Sequence, residues 1–142
     1  MSIRPKPSVN RLVETAIYVD DIARASEFYD TVFGFPALVR EDRVVAYDAG
    51  ASTVFLLFKR GATLNEVILA GGRIPPHDGS GPTHFCFAID ADQLDDWETH
   101  LAELNIPVEA RMNWDQGGKS LYFRDPDGHL IELGTPGIWR TY

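Results

Sequence analysis

Two stretches of the chain repeat one arrangement of apolar and polar positions. Leu12–Val19 (LVETAIYV) alternates with period two and predicts a strand. Val13, Thr15, Ile17 and Val19 then face a helix layer, and Glu14, Ala16 and Tyr18 lie on the opposite face. Asp20 and Asp21 offer N-cap carboxylates for a helix over about residues 22–33, with the apolar stripe Ile22, Ala25, Phe28, Tyr29 and Val32. Gly34 stands as its C-terminal stop. Strands are expected over 36–41, 43–48 and 53–58, with turns at Glu41-Asp42 and Gly50-Ala51.

The pattern restarts at Thr83. THFCFAI sets Phe85, Phe87 and Ile89 on one face and His84, Cys86 and Ala88 on the other. Asp90-Ala91-Asp92-Gln93 has capping-box spacing, and Leu94, Trp97, Leu101 and Leu104 recur at helical intervals, which predicts a helix over about 91–104. Strands follow over 107–112, 119–124 and 129–133, the last two joined by the turn Asp125-Pro126-Asp127-Gly128. The chain thus reads β-α-β-β-β, connector, β-α-β-β-β, a repeat of about 70 residues in which VETAIYVDDI is echoed by THFCFAIDAD. The expectation is an α+β fold in one domain over 1–142: module one about 10–59, connector 60–82, module two 83–134, tail 135–142. The connector holds five glycines and three prolines, with room for a short element at Leu64–Leu69. A connector of this length inside a small domain implies a lid or a link between half-domains.

Composition narrows the class. At 142 residues and 15.9 kDa the chain is sized for one core, and 44% hydrophobic with 24% charged residues excludes a disordered or fibrous protein. Thirteen basic against 21 acidic residues leave a net charge of −8, which repels phosphate backbones, so nucleic acid is not an expected partner. Val54–Phe58, an apolar run that no other in the chain exceeds, is far too short for a membrane span, and MSIRPKPSVN does not read as a signal peptide. The single cysteine, Cys86, suits a reducing cytoplasm.

Three polar residues sit where strand faces are expected to be apolar: Glu14 in the first strand, His84 at the same place in the second module, and Glu132 within HLIEL. Each has an ordinary reading: an edge carboxylate in water, a hydrogen-bonded core histidine, a surface charge. All three, however, fall on the face turned away from the helices. Two carboxylates and an imidazole make a donor set suited to Zn²⁺, Mn²⁺, Fe²⁺ or Ni²⁺. Ser120, Tyr122 and Arg124 alternate onto the same face, where Tyr122 is placed to hydrogen-bond a ligand oxygen and Arg124 either binds substrate or pairs with Asp125 or Asp127. Cys86 shares the face of His84 as packing residue, ligand or nucleophile, while Tyr18, Tyr47 and Phe58 are candidate apolar walls. His77, His100 and His129 show no partner pattern and are expected in solvent.

ETAIYVDDIARASEFYDTVFGF, THFCFAID and SLYFRDPDGHLIEL together resemble the vicinal oxygen chelate superfamily, from about Leu12 to Gly134. That superfamily includes glyoxalase I, fosfomycin-resistance proteins, extradiol dioxygenases and bleomycin-binding proteins. The resemblance implies paired βαβββ modules forming a curved mixed-sheet cup, with metal ligands at Glu14, His84 and Glu132. A fourth ligand position, a glutamate in glyoxalase I, falls in VFLLF at Leu56, which cannot bind metal and leaves room for substrate. The implied function is a divalent-metal enzyme, glyoxalase- or dioxygenase-like. It would act on a small oxygen-rich molecule, with Glu14 or Glu132 as general base. The alternative is a metal-free drug-sequestering module of the bleomycin-resistance type, distinguished by metal content. The resemblance also implies a homodimer, with modules paired within the chain or, as in three-ligand resistance proteins, exchanged between subunits.

Overall fold

The computed structural model describes residues 3–142. Strand β1 (Glu14–Val19) buries Ile17 and Val19, while Glu14, Ala16 and Tyr18 take the open face. The carboxylate of Asp21 accepts from the Arg24 amide at 3.1 Å and starts α1 (Ile22–Val32), which buries Ala25, Tyr29 and Val32. Gly34, at φ 66°, ends it by returning its N–H to the Asp30 carbonyl at 3.0 Å. Strands β2 (Ala37–Arg40), β3 (Val44–Gly50) and β4 (Thr53–Lys59) complete a sheet in the order β1-β4-β3-β2, with β1 parallel to β4. The connector carries a small hairpin, β5 (Val67–Leu69) and β6 (Gly72–Ile74), in place of the single short element expected there.

The second half repeats this plan. Strands β7 (His84–Ala88), β8 (Ala110–Asn113), β9 (Lys119–Arg124) and β10 (Leu130–Gly134) form a sheet in the order β7-β10-β9-β8, with β7 parallel to β10. Helix α2 (Leu94–Glu103) is preceded by a 3-10 turn over Ala91–Gln93, and the Asp90 side chain makes no capping hydrogen bond, so the capping-box spacing is not used.

The helix-side faces of both sheets feed one hydrophobic cluster that includes Ile17, Tyr29, Phe55, Leu57, Leu101, Phe123, Ile131 and Leu133. Phe55 of β4 meets Phe85 and Phe87 of β7 with ring centroids 5.0 and 5.4 Å apart, so the two halves join through this layer. Polar ties reinforce the join: the Tyr29 hydroxyl donates to Asp125 Oδ2 at 2.8 Å, and the Asp20 amide to Asp127 Oδ1 at 2.9 Å.

The three histidines expected in solvent are all engaged. His129 is buried, donating from Nε2 to the Tyr18 carbonyl and accepting at Nδ1 from the Thr83 amide, which fixes it as a neutral ring. His100 Nε2 donates to the Val32 carbonyl, and His77 Nδ1 shares a 2.6 Å hydrogen bond with the Tyr18 hydroxyl. Each partner is remote in sequence, beyond the reach of local pattern.

Candidate metal centre

The register places the site residues. Leu130 pairs with His84, Glu132 with Cys86 on one side and Tyr122 on the other, and Gly134 with Ser120. His84, Cys86, Ser120, Tyr122 and Glu132 therefore share the open face of the second sheet, as alternation predicts. In the first sheet Glu14 pairs with Val54, Ala16 with Leu56 and Tyr18 with Phe58, so Glu14, Leu56, Tyr18 and Phe58 share the other open face. Since Val54 lies opposite Glu14 as Leu130 lies opposite His84, Leu56 is the repeat equivalent of Glu132.

His84 and Glu132 meet. His84 Nδ1 lies 3.0 Å from the Leu130 carbonyl, an acceptor only, so Nδ1 carries the proton. Nε2 faces Glu132 Oε1 at 3.2 Å and, when it carries no proton, presents a lone pair to it. Two acceptors facing each other need a proton or a cation between them. Two donors each about 2.1 Å from one ion, at an angle between about 90° and 109°, stand about 3.0–3.4 Å apart, so the separation fits adjacent ligands. Glu132 is 7% exposed, and its second oxygen, Oε2, accepts the Ser120 hydroxyl at 2.6 Å. A nearly buried carboxylate with one oxygen left to a histidine suits a bound cation.

Glu14 does not join this pair within one chain: among the described residues no three His, Cys, Asp or Glu side chains form a group that could hold an ion. Glu14 does line a cleft of about 180 Å³ with Cys86, Phe85 and Val54, where the edge strands β1 and β7 approach each other. Burial, and then the charge of Glu132, push the Cys86 thiol up to about 12, which keeps it protonated at neutral pH. The same two causes raise the Tyr122 phenol.

Two other expected site residues are engaged away from the His84–Glu132 pair, although the register keeps Arg124 on the same face as Tyr122. Tyr47 is on the helix-side face of β3, fully buried, with its hydroxyl donating to Asp30 Oδ1 at 2.9 Å, so it is a core residue and no part of the open face. Arg124 is clasped by Glu109 at 3.0 and 3.3 Å and by the Gly128 carbonyl, and pairs with neither Asp125 nor Asp127; Asp127 takes Arg24 instead. Pattern reading also passed over Trp114, whose indole N–H donates to Ser120 Oγ at 2.9 Å. Its one signal was its place just past the end of β8, which pairs with the strand carrying Ser120.

The chain matches the family model described as Glyoxalase/Bleomycin resistance protein/Dioxygenase superfamily over residues 11–133. The chain belongs to this superfamily. It is 30% identical over 122 residues to "Metallothiol transferase FosB" of Bacillus licheniformis, covering 85% of this chain and 72% of that protein. The protein of the same name from Lysinibacillus sphaericus is 27% identical over 129 residues, covering 90% and 82%. Among solved structures, a lactoylglutathione lyase from Agrobacterium tumefaciens superposes with a TM-score of 0.83 at 35% identity, covering 95% of this chain and 99% of that one. These relatives are enzymes, and the chain is a glyoxalase-superfamily enzyme. Among the described residues no helix is long and apolar enough to cross a membrane.

Proposed function

We propose that the chain is a divalent-metal-dependent enzyme acting on a small oxygen-rich molecule, with the ion held by His84, Glu132 and Glu14. The observation that carries this reading is the meeting of His84 Nε2 with the nearly buried Glu132 carboxylate, 3.2 Å from Oε1 on the open sheet face. The metallothiol transferase and lactoylglutathione lyase relatives support it.

Glu14 reaches the pair from a second copy of the chain, in a homodimer whose first module faces the partner's second. Two features favour this arrangement. β1 and β7 are both edge strands, which a partner would cover. The chain alone exposes 9617 Å², against about 7,400 Å² for a compact monomer of its mass. Residues 3–13, exposed and without regular structure, supply part of that excess, and the open sheet faces add to it.

When bound, the ion supplies Lewis acidity to neighbouring oxygens of the substrate. The chain's own groups do the rest. Glu14 serves as general base, close to the bound molecule. Tyr122 donates its phenolic proton to a substrate oxygen; burial and Glu132 raise its pKa and keep that proton in place. Tyr18, Leu56 and Phe58 form an apolar wall, with Tyr18 anchored on His77 and stacked on Phe58 at 5.9 Å. The single thiol suits a cytoplasmic setting.

Metal analysis tests the reading. Protein purified without added metal should carry about one Zn, Mn, Fe or Ni ion per chain, and His84→Ala or Glu132→Gln should lose it. A folded wild type that binds none of the four at micromolar concentration overturns the proposal in favour of metal-free sequestration.

A further inference from the structure

We infer that Trp114 and Ser120 are positioning residues for Glu132: a directed chain of hydrogen bonds occupies Oε2 and leaves Oε1 as the single oxygen offered beside His84. This rests on the metal reading above and adds to it the way in which the carboxylate binds.

The direction of the chain is forced. An indole nitrogen can only donate, so the 2.9 Å contact from Trp114 Nε1 takes a lone pair of Ser120 Oγ. The one proton of Ser120 is then free to go onward, to Glu132 Oε2 at 2.6 Å, a short charge-assisted bond. Ser120 is 1% exposed, so water has little access to replace either partner. Both donors are neutral. They pin Oε2 without neutralising the carboxylate, and its full charge stays available to an ion at Oε1. A lysine or arginine in the same place would remove that charge.

The far end of the chain is also held. Trp114 lies in the turn between β8 and β9, where its amide donates to the Gly118 carbonyl at 2.8 Å and its carbonyl accepts from Gly117 at 3.0 Å. Gly118 is packed against the tail after β10: a Cβ there would lie 2.3 Å from the Gly137 carbonyl carbon. The turn, and with it the indole N–H, is thereby fixed relative to the strand that carries Glu132.

Cobalt(II) is the probe. Metal-free wild type, Ser120→Ala, Trp114→Phe and His84→Ala are titrated with Co²⁺, followed by calorimetry and by the visible spectrum, which reports ligand number and geometry. Ser120→Ala should bind about 10- to 100-fold more weakly, with an altered spectrum as Oε2 is released. Trp114→Phe keeps an aromatic ring at a partly exposed position and deletes the N–H, so it should weaken binding about two- to tenfold without affecting the fold. Melting curves establish that each variant is folded, and Trp114→Phe carries the test if Ser120→Ala is not. Folded variants that bind Co²⁺ as tightly as wild type, with the same spectrum, overturn the positioning role while the metal site stands. A wild type that binds no Co²⁺, or a His84→Ala variant that binds it unchanged, removes the metal reading and this inference with it.

Discussion

Tyr29→Phe tests the seam between the two halves of the chain. The Tyr29 hydroxyl, fully buried on α1, donates to Asp125 Oδ2 at 2.8 Å, while Asp125 Oδ1 takes the amides of Asp127 and His129 at 3.0 and 2.9 Å. These contacts hold the turn from which β10 carries Glu132. Phenylalanine keeps the ring and its packing, so the perturbation is confined to one hydrogen bond to a buried carboxylate. Such a bond contributes about 1.5–3 kcal/mol. A loss of about 2 kcal/mol lowers the melting temperature of a chain this size by about 6 °C.

The pH dependence has a definite sign. Burial holds the Asp125 carboxyl above its ordinary range, and the Tyr29 hydroxyl pulls it part of the way back. Removing the hydroxyl lifts the folded-state value further. A carboxyl that binds its proton more tightly folded than unfolded makes stability fall as pH rises through the interval between the two values. The deficit of the variant is therefore full at pH 7 and shrinks toward about 1 kcal/mol, the worth of a neutral hydrogen bond, near pH 4. Urea unfolding at both pH values measures it. A deficit below about 0.5 kcal/mol at pH 7, or one that does not shrink in acid, would refute the argument.

Further outcomes follow from the register and from burial. Leu56→Glu places a carboxylate at the repeat equivalent of Glu132, so metal affinity should rise about tenfold or more while turnover falls; unchanged affinity in a folded variant, measured by calorimetry, contradicts the register argument. Tyr47→Phe should cost about 1–1.5 kcal/mol through its lost bond to Asp30 and leave metal affinity untouched, because Tyr47 stands on the helix side. Burial and Asp30 push the Tyr47 phenol up to about 12, so wild-type stability should fall between about pH 10 and 12. That fall should be weaker in the variant, and an identical alkaline limb in both would count against the assignment.

The repeat was legible because its signal is local: alternation sets the strand faces, helical spacing sets the helices, and the two halves carry the same string. Glu14, His84 and Glu132 stood out as polar residues on one predicted face, and the register keeps each on an open face. Tyr47 shows where alternation runs out. VVAYDAG permits either face, and the choice is made by the tyrosine reaching Asp30 on α1, together with an irregularity near Gly50. The histidines show the same limit differently, since His129 is neutral and buried only because the Tyr18 carbonyl lies across the seam. Arg124 chose Glu109 over the nearer aspartates because the two ends of the β8–β9 hairpin come together there. Trp114 was invisible because a turn tryptophan has no periodicity to break.

Mixing two damaged chains tests the central claim most directly. Glu14→Ala protein and His84→Ala protein are each unfolded, combined in equal amounts and refolded together, and metal binding is measured before and after. If two subunits share each site, every mixed dimer has one site with both defects and one intact. About a quarter of the wild-type metal capacity and activity should then return from two inactive parents. No recovery from mixtures that demonstrably form dimers, or a wild type that binds metal and turns over as a monomer, would contradict the account.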